Sequence, residues 1–203
     1  MEAAGTPGEQ AGMKTSHAFV VELPDWCRTL LDELPDRLPE AADRMRLAVD
    51  LSRRNVAAGT GGPFGAVVSS IADGRLIAIG VNRVEPETCS SAHAEIVALS
   101  LAQAALSTWN LADAHGAPME LATSCEPCAM CLGAIPWSGV QRVVCGATKR
   151  DAEITGFDEG ERTHDWIGVL NRRGIDVQTE ILRAGAAEVL AEYRRSGARI
   201  YNP

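Results

Sequence analysis

The chain reads as an α/β protein, a three-layer α/β/α sandwich around a mixed five-stranded sheet. Three observations predict it. Two short aliphatic runs flank Asp73-Gly74, a strong local signal for a β-hairpin. Downstream of the hairpin, stretches with helical periodicity alternate with short strand-like runs. Of the 203 residues, 46% are hydrophobic but only 4% aromatic, so a single core filled mainly by aliphatic side chains and alanine is expected.

Residues 1–16 are small and polar, with Gly5, Gly8 and Gly12, and are expected to form a disordered extension, leaving 17–203 as one domain. Pro24–Leu34 predicts a short helix. Glu40–Ala58 predicts a longer one, with Met45, Ala48, Val49 and Leu51 near one face and Gly59 to Gly62 stopping it. Gly65 to Val84 carries the two hairpin strands. The next helix is expected from His93 through Leu106, well buried because Ile96, Val97, Leu99, Leu101, Ala104 and Ala105 leave little polar surface. Met119–Thr123 reads as a strand, followed by a helix that Pro127 opens at a tolerated first-turn position. Val140–Ala147 reads as the next strand, and 148–160 as a polar loop with some helix at Lys149–Glu153. A helix near Asp165–Asn171, a strand at Ile175–Leu182 and a helix at Ala184–Arg195 complete the pattern. A helix separates the last two strands, so they are expected to run parallel through a right-handed crossover. Neither a repeat nor a second composition regime marks a domain boundary.

Asp and Glu number 27 against 19 Lys and Arg, a net charge of −8. That balance suits a small uncharged substrate better than a phosphate backbone, whose binding relies on clustered cations. Nothing approaches the roughly 20 apolar residues of a membrane span. The first 16 residues lack a basic segment followed by an apolar one, so no signal peptide is expected. The six cysteines are too unevenly spaced for a disulfide framework, and a reducing, cytoplasmic setting follows.

The chemistry concentrates in His93-Ala94-Glu95 and Pro127-Cys128-Ala129-Met130-Cys131. His93, Cys128 and Cys131 supply three metal ligands. A structural zinc site closes its shell with four protein ligands, whereas a catalytic one keeps a position for water. Cysteines three apart at a helix start share one face, and the free N–H groups and macrodipole there favour thiolate. Zn2+ is therefore the expected cofactor, with a bound water of lowered pKa as fourth ligand. Glu95, offset by about 200° from His93 on a helix, is expected to shuttle protons rather than bind the metal. Ala94 is small enough to leave its backbone N–H accessible to a substrate oxygen. The bland alternative is a redox pair or half a zinc ribbon. No second C-x-x-C completes a ribbon, although Cys125 offers another sulfur. Cys27, Cys89, Cys125 and Cys145 read as small buried residues, and His17, His115 and His164 as solvated.

The H-x-E…P-C-x-x-C arrangement is that of zinc deaminases acting on cytosine and adenine. From about Arg44 to Pro203 the chain more closely resembles the bacterial guanine deaminases of the cytidine-deaminase-like superfamily. The resemblance rests on Gly61-Gly62-Pro63-Phe64-Gly65-Ala66-Val67, Val81-Asn82-Arg83, Ala92-His93-Ala94-Glu95, Thr123 through Cys131, Gly133-Ala134-Ile135-Pro136-Trp137, Gly156-Phe157-Asp158-Glu159-Gly160 and the Ile200-Tyr201 tail. Cytosine, riboflavin-pathway and transfer-RNA adenosine deaminases share the zinc motifs. The Gly-Phe-Asp-Glu segment and the tail lean toward guanine.

The resemblance implies hydrolysis of guanine to xanthine and ammonia by zinc-bound hydroxide, with Glu95 as shuttle and Glu159 as a second acidic residue. It assigns the Asn82 amide to the purine edge, and Phe64 and Trp137 to lining or stacking on the ring. It implies a homodimer with exchanged tails, in which Tyr201 closes the neighbouring subunit's pocket. From the residues alone, Phe64 and Trp137 fit a core, Asn82 a strand end, Asp158-Glu159 a solvated loop, and Tyr201 packing on its own subunit. Other readings are a deaminase of another aminated heterocycle, such as cytosine or an ammeline-like triazine, or of transfer-RNA adenosine, which the −8 charge disfavours. A zinc-stabilised interaction module is the non-enzymatic reading, and it leaves Glu95 without a task.

Overall fold

The computed structural model describes residues 19–113 and 117–202. The expectations for 1–16, His17 and His115 fall outside them. Two helices, α1 (Asp25–Glu33) and α2 (Ala41–Ala57), precede the hairpin strands β1 (Gly65–Ser70) and β2 (Leu76–Val81). Then follow α3 (Ala94–Ala105), β3 (Met119–Cys125), α4 (Ala129–Ser138), β4 (Arg142–Ala147), α5 (Lys149–Thr155), α6 (Trp166–Asn171), β5 (Asp176–Gln178) and α7 (Arg183–Arg195). The five strands lie in the order β2-β1-β3-β4-β5. β1 runs antiparallel to β2 and β3, while β3, β4 and β5 run parallel, so the sheet is mixed.

Alternate strand residues face opposite layers, as a pleated sheet requires. Ala66, Val68, Leu121, Val143 and Cys145 pack toward Ala98, Leu99 and Ala102 of α3, Ile135 of α4, and Trp166 and Leu170 of α6. Val67, Ile79, Ala122 and Val144 pack toward Cys27 and Leu30 of α1 and Met45, Ala48 and Leu51 of α2. A third cluster joins Cys125 and Ala147 at the strand ends to Ala152 of α5, to Phe157, and to Ala186, Leu190 and Tyr193 of α7. α3 lies so close to β2 that a Cβ at Gly80 would meet Ala94 O at 2.2 Å.

Arg44 on α2 donates to both carboxylate oxygens of Glu120 on β3, at 2.7 and 3.0 Å, with 3% and 0% of the two side chains exposed. Its Nη1 also donates to the carbonyls of Leu38 and Pro39. The pair thus pins the link between α1 and α2 to the sheet.

Several local expectations change. β5 is three residues long rather than spanning Ile175–Leu182, because Glu180 and Leu182 turn left-handed, at φ 63° and 55°. α4 begins at Ala129 with Cys128 as its N-cap, so Pro127 stands just before the helix instead of in its first turn. Ala104 and Ala105 on α3 are exposed, and Cys89 is half-buried in the turn after β2. Cys27, Cys125 and Cys145 are buried and His164 is exposed, as expected. α5 extends to Thr155 and starts at a capping box in which Thr148 and Asp151 satisfy each other's backbone N–H. Among the described residues, no helix is long and apolar enough to cross a membrane.

Candidate active site

Two helix N-termini meet at one corner of the sheet. His93 is the N-cap of α3 and Cys128 that of α4, and neither side chain caps its own helix. Both are thereby left to face each other. His93 Nδ1 lies 3.5 Å from Cys128 Sγ and 3.6 Å from Cys131 Sγ, and the three donor atoms lie within 4.8 Å of one another. Zinc–sulfur bonds of about 2.3 Å and a zinc–nitrogen bond of about 2.0 Å, set at the tetrahedral angle, place N and S about 3.5 Å apart. The donor set fits zinc in both chemistry and spacing. The hydrogen bond from Cys131 and the nearby His93 pull Cys128 down to about 4 against burial, while Cys131, which shares that hydrogen bond, is pushed up. Burial pulls His93 down, but Cys128 and the two nearby glutamates outweigh it and raise it.

Glu95 and Glu159 face the same corner from different elements, each only 6% exposed. Glu95 sits in the first turn of α3, where burial and then the Cys128 charge raise its carboxyl, and it contacts Cys131. Burial, Cys128 and Glu95 push Glu159 up to about 8. Glu159 is held by a loop rather than a helix. Its carbonyl accepts from Ala129 N at 2.9 Å, in the first turn of α4. Lys149 Nζ donates to Gly160 O at 2.8 Å, and Arg162 donates to Pro127 O at 3.1 Å while pairing with Glu126. Asn202 and Asp158 exchange two hydrogen bonds, of 2.7 and 2.8 Å, tying the tail to this loop.

The opposite side is built by Asn82, Tyr201 and an aromatic group. Asn82 follows β2 and is buried. Its Nδ2 donates to Tyr201 Oη at 2.8 Å, and its Oδ1 accepts from Gly62 N and Val84 N, both at 3.3 Å. The acceptor end of the amide is therefore engaged by backbone, and the donor end is the one turned toward the tail. Tyr201 lies 6.3 Å from the His93 ring, centroid to centroid, and 5.1 Å from Phe157. Phe64 packs edge-on against Phe157 at 5.0 Å, so it belongs to the wall behind Tyr201. Ala94 is fully buried at the start of α3, where backbone N–H groups lack intrahelical partners.

The structure thus brings His93, Ala94, Glu95, Cys128, Cys131, Asn82, Glu159 and Tyr201 to one corner, with Phe64 behind it. It does not bring Trp137 there. Six residues beyond Cys131 on α4, Trp137 stands about 9 Å along the axis and about 240° around it. It is 77% exposed, beside Ile96, Leu99 and Ala134 on the outer face of α3 and α4. Tyr201 reaches Asn82 of its own chain. Sequence reasoning missed Glu126 and Arg162, which hold the Glu159 loop, and Phe157, which backs the tail. Glu126 and Phe157 stand inside motifs that were read for their neighbours, whereas nothing local marked Arg162.

Residues 39–147, which include all three metal-facing residues, match the family described as the cytidine and deoxycytidylate deaminase zinc-binding region. Over 115 residues the chain is 44% identical to guanine deaminase of Bacillus subtilis (strain 168), a match covering 57% of this chain and 69% of that protein. Among solved structures, a guanine deaminase from Nitrosomonas europaea matches at TM-score 0.84 and 45% identity, covering 90% of this chain and 100% of that one. The structure of NE0047 in complex with 2,6-diaminopurine matches at TM-score 0.85 and 47% identity, covering 91% of this chain and 97% of that one. With a site suited to zinc and these relatives, the chain belongs to the zinc-binding cytidine and deoxycytidylate deaminase family, in its bacterial guanine deaminase branch.

Proposed function

We infer that this protein is a zinc-dependent hydrolase that converts guanine to xanthine and ammonia. The observation that carries this is the convergence of one imidazole, two thiol groups and two buried carboxyl groups, in a fold shared with guanine deaminases. His93, Cys128 and Cys131 would hold the ion, leaving a coordination position open. A zinc ion held by these three residues would lower the pKa of a water toward neutrality and so supply the nucleophile.

The chain's own residues divide the remaining work. Glu95 takes a proton from the attacking water and delivers it to purine N3 as C2 becomes tetrahedral. Glu159 relays the proton of the C2 hydroxyl to the 2-amino group, which leaves as ammonia as the C2 carbonyl of xanthine forms. Asn82 donates an N–H to an acceptor on the purine edge, since its oxygen is already occupied. The Ala94 N–H is aimed at a substrate oxygen. Phe64 supports the aromatic wall through Phe157, and Tyr201 closes the pocket over the ring.

A homodimer in the cytoplasm completes the proposal. The exposed face around Trp137 and Met130 supports the dimer, and Trp137 is assigned to that face instead of the purine. Six unpaired cysteines support the reducing compartment. An exchanged tail would make the same Asn82–Tyr201 contact between subunits that the chain makes within itself. Mixing Asn82→Ala chains with Tyr201→Ala chains restores activity only if tails act across subunits. The substrate is tested by ammonia release from guanine, adenine, cytosine, guanosine and ammeline with the zinc-loaded protein. Preferred turnover of any ring other than guanine would overturn the assignment.

A further inference from the structure

α1 packs with α2 on one face of the sheet, and a chain of hydrogen bonds joins it to Asn82. Trp26 Nε1 donates to Thr60 Oγ1 at 3.0 Å. Thr60 Oγ1 donates to Asn55 Oδ1 at 2.8 Å. Asn55 Nδ2 then donates to two carbonyls, those of Gly62 and Asn82, each at 2.9 Å. Asn55 is 0% exposed, and its amide has spent both of its hydrogens and its oxygen on these partners.

The two carbonyls flank the elements that orient the Asn82 side chain. Gly62 N donates to Asn82 Oδ1, so the same turn is gripped from behind by Asn55 and in front by Asn82. The fit is tight. A Cβ at Gly61 would lie 1.9 Å from Asn82 O and 2.7 Å from Asn55 Nδ2, and one at Gly62 would lie 2.7 Å from the Tyr201 ring. Any drift of the turn therefore moves both the Asn82 amide and the surface on which Tyr201 rests.

We propose that Asn55 is a positioning residue for purine binding, fixing Asn82 and the Gly61-Gly62 turn through a relay that starts at Trp26. The inference rests on the assignment of Asn82 to the purine. Asn55 and Thr60 act by holding the Asn82 amide with its N–H toward the pocket. Loss of the relay frees Asn82 Oδ1 from the turn and lets the amide rotate, so the pocket no longer presents a fixed donor. Ground-state and transition-state binding of the purine weaken together, which raises KM while leaving kcat nearly unchanged. This gives α1 a task in recognition beyond packing on the sheet.

The test compares guanine kinetics of Asn82→Ala, Asn55→Asp, Thr60→Val and Thr60→Ser in the full-length zinc-loaded protein. Asn55→Asp turns a carboxylate toward two carbonyls and is expected to destabilise the fold; Thr60→Val removes only the hydroxyl at nearly constant shape. The expected result is a rise in KM of about tenfold for Thr60→Val, kcat within about threefold, and unchanged zinc content. Thr60→Ser, which keeps the hydroxyl, restores the parent KM. If Asn82→Ala itself leaves KM unchanged, the assignment of Asn82 to the purine fails. If Asn82→Ala raises KM while Thr60→Val matches the parent, or Thr60→Ser fails to rescue, the relay is overturned and the assignment of Asn82 stands.

Discussion

The side of the site that carries the metal-facing residues and the side proposed for the purine are held together by different means. His93, Cys128 and Cys131 sit at the starts of two helices packed on one face of the sheet, with sequence separations of 35 and 38 between the imidazole and the thiols. Asn82 and Tyr201 face each other across a separation of 119 and are fixed by a loop, a turn and the chain's tail. A helix start leaves little freedom to its residues, so the metal side is rigid once α3 and α4 dock. The purine side depends on individual hydrogen bonds, and each can be removed without disturbing the helices. The side proposed for the chemistry is built into the scaffold, and the side proposed to select the ring is tied on by separate hydrogen bonds.

The deepest cut at this contrast is Glu95→Gln. It is expected to lower kcat by about a thousandfold, within the range for loss of a general acid–base group, while zinc content and fold persist. Ammonia release and metal analysis measure both, and unchanged turnover would remove the proposed shuttle. Glu159→Gln comes next, at about a hundredfold in kcat with zinc retained. Because Glu159 stands on a loop tied to the tail, its effect tests whether the purine side also shares in proton transfer. Normal kinetics would return that carboxyl to a purely structural task.

Tyr201→Phe removes a single hydrogen bond to Asn82 and leaves the ring in place. A loss of about 1 kcal/mol is expected, read as a few-fold rise in KM with kcat unaltered. A larger change in kcat than in KM would show that the tail belongs with the chemistry and erase the division between the two sides.

The smallest expected effect on activity lies outside both. Asp151 caps α5 and bonds to Arg183, and these contacts hold its carboxyl down to about 2 from an ordinary 3.8. Its charged form is favoured in the fold, so its contribution is present in full above the unfolded value and fades as pH falls toward about 2. Asp151→Asn is expected to cost about 1 kcal/mol near neutrality in denaturant titration, and to leave kcat and KM alone. A kinetic defect would mean that α5 transmits strain to the Glu159 loop.

Much of the fold was legible because its signals are local. The Asp73-Gly74 turn, the helical period of α2 and the short apolar runs of β1 and β2 each depend on residues a few positions apart. The end of β5 was not legible, since an apolar run can pair along its whole length or turn aside, and only Glu180 and Leu182 in place show that it turns. Trp137 illustrates the same limit in the site. Its motif suggested the purine, but the helical rotation from Cys131 carries it to the outside.

The amino-acid sequence by itself determined the donor set of the metal corner: one histidine and two cysteines three apart, in two short motifs at helix starts, are legible from residues a few positions apart. Only the tertiary structure decided that Glu159 is buried beside that corner, that the Asn82 amide shows its N–H rather than its oxygen, and that the tail reaches back to meet it. Burial and hydrogen-bond pairing belong to the neighbours a residue finds after folding, and those neighbours come from distant parts of the chain that no local pattern connects.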